Sequence, residues 1–143
     1  GVFRDVPTVE GNQIMRERYQ DMVAGMNSTL PKNCLKDPPA ALPYLCAFSE
    51  HALATITTPT FVLNSLYNFG VWEELSTTID GGAEPQGWSA CAPGNGKITS
   101  KSWESCSAEQ RAVIDAFRTG FLAAVQPALA EDSPHGLFLT SCP

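Results

Sequence analysis

A chain of 143 residues has the length of one domain, and an apolar content of 43% lets it bury a core, so it need not be disordered. Its net charge of −6 argues against nucleic acid and anionic membrane as partners, because both demand an excess of Lys and Arg. No apolar run approaches the roughly 18 residues needed to span a bilayer, so no membrane insertion is expected.

The chain opens with Gly1-Val2-Phe3-Arg4 and not with Met and a basic segment, so the natural N-terminus is expected upstream. Gly1 to Val6 reads as a strand end or entry loop closed by Pro7. Gly11 to Met26 reads as a helix, because Met15, Arg18/Tyr19, Met22, Val23 and Met26 recur at three- and four-residue spacing. The Met stripe is assigned to core packing, a Met-lined binding surface being the rarer use. Leu30 to Pro43 is a Pro-rich loop holding Cys34, with Cys46 just beyond. His51, before Ala52-Leu53-Ala54, reads as a surface or packing histidine.

Thr60-Phe61-Val62-Leu63-Asn64 is the clearest strand, a short apolar run opened by Pro59 and lacking alternation. That pattern suits a parallel strand buried on both faces. The loop after it, Ser65 to Gly70, leaves the carboxyl end of the strand, where open α/β sheets place their active sites. Trp72 to Ile79 reads as a short helix, and Asp80 to Ser102 as a long Gly/Pro/Ser/Asn-rich excursion. Trp88 and Trp103 suit either a small satellite core or, less often, a sugar-binding cleft.

Ser107 to Ala130 is the strongest helix. Ser107 and Gln110 have the spacing of a capping box. Val113, Ile114, Phe117, Phe121 and Val125 form one apolar stripe, and Pro127 ends or kinks the run. Ser133-Pro134-His135-Gly136 is a turn and Leu137 to Thr140 a final strand. Helix, strand, helix, strand in this order favours a layered α/β domain.

Five cysteines are many for a cytosolic protein. Without C-x-x-C spacing, and with two histidines in the chain, disulfides are the better reading than a zinc site. They imply an oxidising compartment. Cys34 with Cys46, and Cys91 with Cys106, each bracket a loop poor in apolar residues. Closing loops of that size contributes about 3 kcal/mol each in the chain-entropy model. Cys142 is left over, and its partner is expected outside residues 1–143. Asn27-Ser28-Thr29 is an N-glycosylation acceptor, so Asn27 should be exposed and modified.

The chain has no Gly-x-Ser-x-Gly elbow, phosphate-binding glycine loop or metal motif. Asp132, Ser133 and His135 supply the residue types of a catalytic triad, but a triad converges from separate loops and these three are nearly adjacent.

Taken together, several segments resemble the pectin acetylesterase–Notum family of secreted carboxylesterases. They are Gly1-Val2-Phe3-Arg4-Asp5-Val6-Pro7, Leu30-Pro31-Lys32-Asn33-Cys34, Cys46-Ala47-Phe48, and Ile56-Thr57-Thr58-Pro59-Thr60-Phe61. Then follow Leu63-Asn64-Ser65-Leu66-Tyr67-Asn68, Cys106-Ser107-Ala108-Glu109-Gln110, Phe117-Arg118-Thr119-Gly120-Phe121-Leu122 and Gly136-Leu137-Phe138-Leu139-Thr140-Ser141-Cys142. Their order matches the family's C-terminal half across nearly the whole chain.

The resemblance implies an α/β-hydrolase-like layered sheet, of which residues 1–143 form the C-terminal part only. It also implies a Ser-His-Asp triad for ester cleavage, with the serine upstream of Gly1 and the histidine a few residues past Cys142. The acid position falls inside the chain and departs from the family: Asn68 stands where the family has Asp. Glu73 and Glu74 are candidate substitutes one turn on. The expectation is part of a secreted, cell-wall or extracellular carboxylesterase whose family reaction is polysaccharide deacetylation. The alternative is a non-catalytic extracellular structural or binding module on the same scaffold. The expected partners are the rest of the hydrolase domain or a companion chain, and polysaccharide. No cofactor and no metal are expected.

Overall fold

A computed structural model of the chain describes residues 4–36, 42–66, 87–91, 103–126 and 130–141. Among the described residues the main elements are α1 (Ile14–Met26), α2 (Ser49–Ala52), β1 (Phe61–Ser65), α3 (Ala108–Val125) and β2 (Gly136–Thr140), with 3₁₀ turns at Cys34–Lys36, Pro43–Ala47 and Leu53–Thr55. β1 and β2 pair in parallel, Phe61 opposite Gly136 and Ser65 opposite Thr140. The described part is thus an α/β arrangement in which α3 lies between two parallel strands in sequence.

α3 is the spine. Its apolar stripe buries Ile114, Phe117, Phe121 and Val125, and each turn meets a different partner. Ile114 packs with Trp88, Cys91 and Cys106. Phe117 meets Val6 and Val9 of the N-terminal segment. Phe121 and Val125 join Leu53, Val62 and Leu66 under the sheet. The capping box forms as expected: the Gln110 N–H donates to Ser107 Oγ at 3.2 Å, and the Ser107 N–H donates to Gln110 Oε1 at 2.8 Å. α3 ends at Val125, short of the expected Ala130; Pro127 lies outside the described residues.

The four expected sulfurs pair as Cys34–Cys46 and Cys91–Cys106. Phe48, fully buried, closes the first of these loops onto Met15 and Leu45, with the Tyr19 ring tilted against it at 4.4 Å between ring centroids.

Four expectations need correction. α1 begins at Ile14 and not Gly11, because Gly11 has φ +87° and belongs to a turn in which its N–H donates to the Thr8 carbonyl. Of the Met stripe, Met15 is buried, whereas Met22 and Met26 are 37% and 75% exposed. The Pro43–Ala47 turn covers the first half of the helix, and the stripe outruns it. β1 spans 61–65 and is buried on one face: Val62 points into the core, while Phe61 and Leu63 are 67% and 69% exposed. Among the described residues one helical layer, α3, covers this sheet, so its other face stays open. β2 starts at Gly136, one residue early, where the Phe61 ring occupies the space that a Cβ would fill.

Candidate functional site

A parallel strand pair sends both chains out at the same end, and in open α/β sheets that end collects the reactive loops. Here the Leu66 N–H donates to the Thr140 carbonyl at 2.9 Å, extending the ladder one residue beyond β1. Leu66 is buried with Phe121 and Val125 and anchors the edge to α3. Asn64 Nδ2 donates to the Ser65 carbonyl at 3.1 Å and braces the same turn. The segment that carries Asn68, Glu73 and Glu74 and the segment that leads to Cys142 therefore depart from adjacent points. Those four residues themselves lie outside the described residues, as do the expected helix at 72–79 and most of the excursion at 80–102.

The two histidines sit elsewhere. His135 precedes β2, at the opposite end of the sheet from Ser65 and Thr140. Its Nδ1 accepts from the Thr60 N–H at 3.2 Å and its Nε2 lies 3.0 Å from the Ile56 carbonyl oxygen. An accepting Nδ1 leaves Nε2 as the nitrogen that can donate to the Ile56 carbonyl, the pattern of an Nε2–H tautomer. Both nitrogens are committed to backbone, and Ser133 Oγ accepts from the His135 N–H instead of facing the ring. The Asp132, Ser133, His135 trio is a turn and not a triad. His51 packs edge-on to Phe48, with centroids 6.5 Å apart, and its Nε2 is 3.8 Å from Glu50 Oε1.

Trp88 is 8% exposed and packs with the Cys91–Cys106 bridge and Ile114, with Trp103 alongside. Arg111 lies over the Trp103 ring at 5.8 Å. The pair builds a satellite core, so the sugar-cleft reading of these two side chains falls.

One charged cluster escaped the sequence reading. Arg4 Nε donates to Glu50 Oε2 at 3.2 Å, and Arg4 Nη1 donates to the Phe117 carbonyl at 3.2 Å. The guanidinium stands 5.3 Å from the centre of the Phe117 ring. Glu50 Oε1 accepts the Asp5 N–H, and Asp5 accepts from Arg16 Nε at 2.9 Å and Nη2 at 2.7 Å. The Asp5 hydrogen bond holds the Arg16 guanidinium in its charged form, above its ordinary range, against a smaller opposing effect of burial. The cluster ties the N-terminal segment to α1, α2 and α3 at once. Its one sequence signal is a pair of charges, Arg4-Asp5, inside an otherwise apolar segment.

Among the described residues no three His, Cys, Asp or Glu side chains gather as metal ligands, and no helix is long and apolar enough to cross a membrane. A family model described as Pectinacetylesterase matches residues 1–143. The chain belongs to the pectinacetylesterase family. Among curated proteins it is similar to Pectin acetylesterase 5 of Arabidopsis thaliana, with 30% identity over 99% of this chain and 31% of the relative's length. It is similar to Pectin acetylesterase 7 of the same plant, again at 30% identity, over 99% of this chain and 34% of the relative. Pectin acetylesterase 11 is 28% identical over the same shares. The chain thus spans about a third of the length of these relatives. No solved structure matches it.

Proposed function

We propose that this chain is the C-terminal portion of a secreted, α/β-hydrolase-like carboxylesterase that removes acetyl groups from a cell-wall or matrix polysaccharide. Membership of the pectinacetylesterase family along the whole chain supports the reaction class. The parallel β1–β2 pair, with both carboxyl ends at one edge, is the observation that carries the reading. It gives a loop bearing an acid position and a loop leading to a base a common point of departure. In such chemistry the serine attacks the acyl carbonyl, histidine moves the proton, and an acid orients the histidine. This chain holds the acid position, Asn68; nucleophile and base are placed in the remainder of the protein, and the chain alone is inactive.

Asn68 favours a second reading, a non-catalytic extracellular binding module on the same scaffold. An amide cannot stabilise an imidazolium, and Asp to Asn in a serine-protease triad costs about 10⁴ in kcat. Ester hydrolysis by the complete protein on acetylated pectin separates the two. Under the esterase reading wild type is active and Glu73→Gln or Glu74→Gln, removing the substitute acid, lowers turnover by up to about 10⁴. A complete protein that is inactive, yet gains turnover with Asn68→Asp, is the non-catalytic module. An inactive protein that Asn68→Asp does not revive has lost more than its acid.

A further inference from the structure

α1 ends at Asn27, which has φ +47° and ψ +46° and is the one non-glycine residue with positive φ among the described residues. The N–H groups of Asn27 and Ser28 both turn back to the Val23 carbonyl. Asn pays less than other non-glycine residues for this left-handed backbone, so it terminates the helix well. That role explains Asn27 and leaves Thr29 unexplained. Thr29 is exposed and completes an Asn-x-Ser/Thr acceptor with Asn27 and Ser28.

Space at this end of the helix is open. Asn27 is exposed, the preceding Met26 is 75% exposed, and a Cβ added at Gly25 would meet nothing within 4 Å. Beyond the cap, Ser28 to Leu30 runs without helix or strand pairing. The buried part of α1, around Met15, lies at its other end. A branched oligosaccharide on Asn27 Nδ2 therefore displaces no packing.

We propose that Asn27 carries an N-linked glycan. The inference rests on the secreted reading above, because the oligosaccharide is transferred in the secretory pathway. Transfer replaces one Nδ2–H bond with an N–glycosidic bond to the first N-acetylglucosamine. The lipid-linked donor releases its diphosphate carrier, which takes up the displaced proton.

The test is mass analysis of the complete protein, expressed through the secretory pathway of plant cells, with and without peptide-N-glycosidase. Wild type is expected to lose a glycan and leave Asp at position 27. Thr29→Ala is expected to lose the modification while keeping the Asn27 cap, Thr29→Ser to keep it, and Asn27→Gly to lose it with a sound helix end. Redox state keeps this inference apart from the reading beneath it. Protein recovered from the medium with Cys34–Cys46 and Cys91–Cys106 formed, yet with unmodified Asn27, overturns the glycan alone. Protein retained in the cytosol with reduced cysteines and no glycan overturns both.

Discussion

Gly120 sits in the middle of α3, where glycine costs about 1 kcal/mol against alanine. Its neighbour accounts for it: a Cβ there would stand 2.5 Å from Arg4 Nη2 and 2.8 Å from the guanidinium carbon. Arg4 uses that seat to reach both Glu50 and the Phe117 carbonyl. Gly120→Ala therefore sets a gain in helix propensity against the loss of hydrogen bonds to a charged group, worth about 1.5–3 kcal/mol. We expect the substitution to destabilise wild type and to stabilise an Arg4→Ala background by about 1 kcal/mol. A double-mutant cycle by denaturant unfolding measures the reversal, and the same sign in both backgrounds would refute the seat. Asn27 makes a similar point at the residue scale. Its sequon could be read directly, whereas its left-handed cap needed the backbone.

At the scale of elements, the N-terminus of α3 is the best-determined feature. Ser107→Ala should cost about 1 kcal/mol, since it removes the acceptor of the Gln110 N–H. Glu109, in the first turn, is held below the ordinary carboxylate range by its own backbone N–H and then by the Ser107 hydroxyl, which donates to Oε2 at 2.8 Å. A carboxyl depressed in the folded state contributes stability that is present above its unfolded pKa and lost as pH falls through the folded one. Stability from this turn should thus decline on acidification below the ordinary carboxylate range, and Glu109→Gln should flatten that part of the profile. Urea midpoints for the two proteins from neutral to acid pH check it, and parallel profiles would count against the assignment. Sequence signals for the start and the apolar stripe of this element sufficed, because capping and periodicity act within one or two turns, whereas its end at Val125 comes before the expected Ala130. The early end of α1's burial was not readable, since the Pro43–Ala47 turn that covers Met15 is distant in sequence.

For the molecule as a whole, the open face of the sheet dominates. Phe61, Leu63 and Phe138 are 67%, 69% and 52% exposed, and Leu63 lies directly opposite Phe138 in the register. Contiguous apolar surface of this kind marks a contact site. Under the proposed function, we expect another segment of the complete protein to cover it. Leu63→Ala should then cost about 2–5 kcal/mol there, as for a buried leucine. In the 143-residue chain alone, the same change should stay within about 0.5 kcal/mol, as for a surface site. Equal effects in the two settings would remove the companion segment. Cys142 belongs to the same argument: peptide mapping of the complete protein should find it bonded to a cysteine outside residues 1–143, and a free thiol there would contradict this.

By itself the sequence determined the features that depend on near neighbours. These are the Cys34–Cys46 and Cys91–Cys106 loops, the Ser107–Gln110 box, the stripe from Ile114 to Val125 and, to within a residue at their ends, the two strands β1 and β2. Only the tertiary structure decided which face of β1 is covered, that Trp88 and Trp103 close a satellite core, that His135 clips backbone, and that Arg4 rests on Gly120. Periodicity reports how a side chain is placed relative to its own helix or strand. What meets that side chain depends on which distant layer packs against it. An apolar run such as Phe61-Val62-Leu63 states that both faces of a strand want cover, and the layers present decide which face receives it.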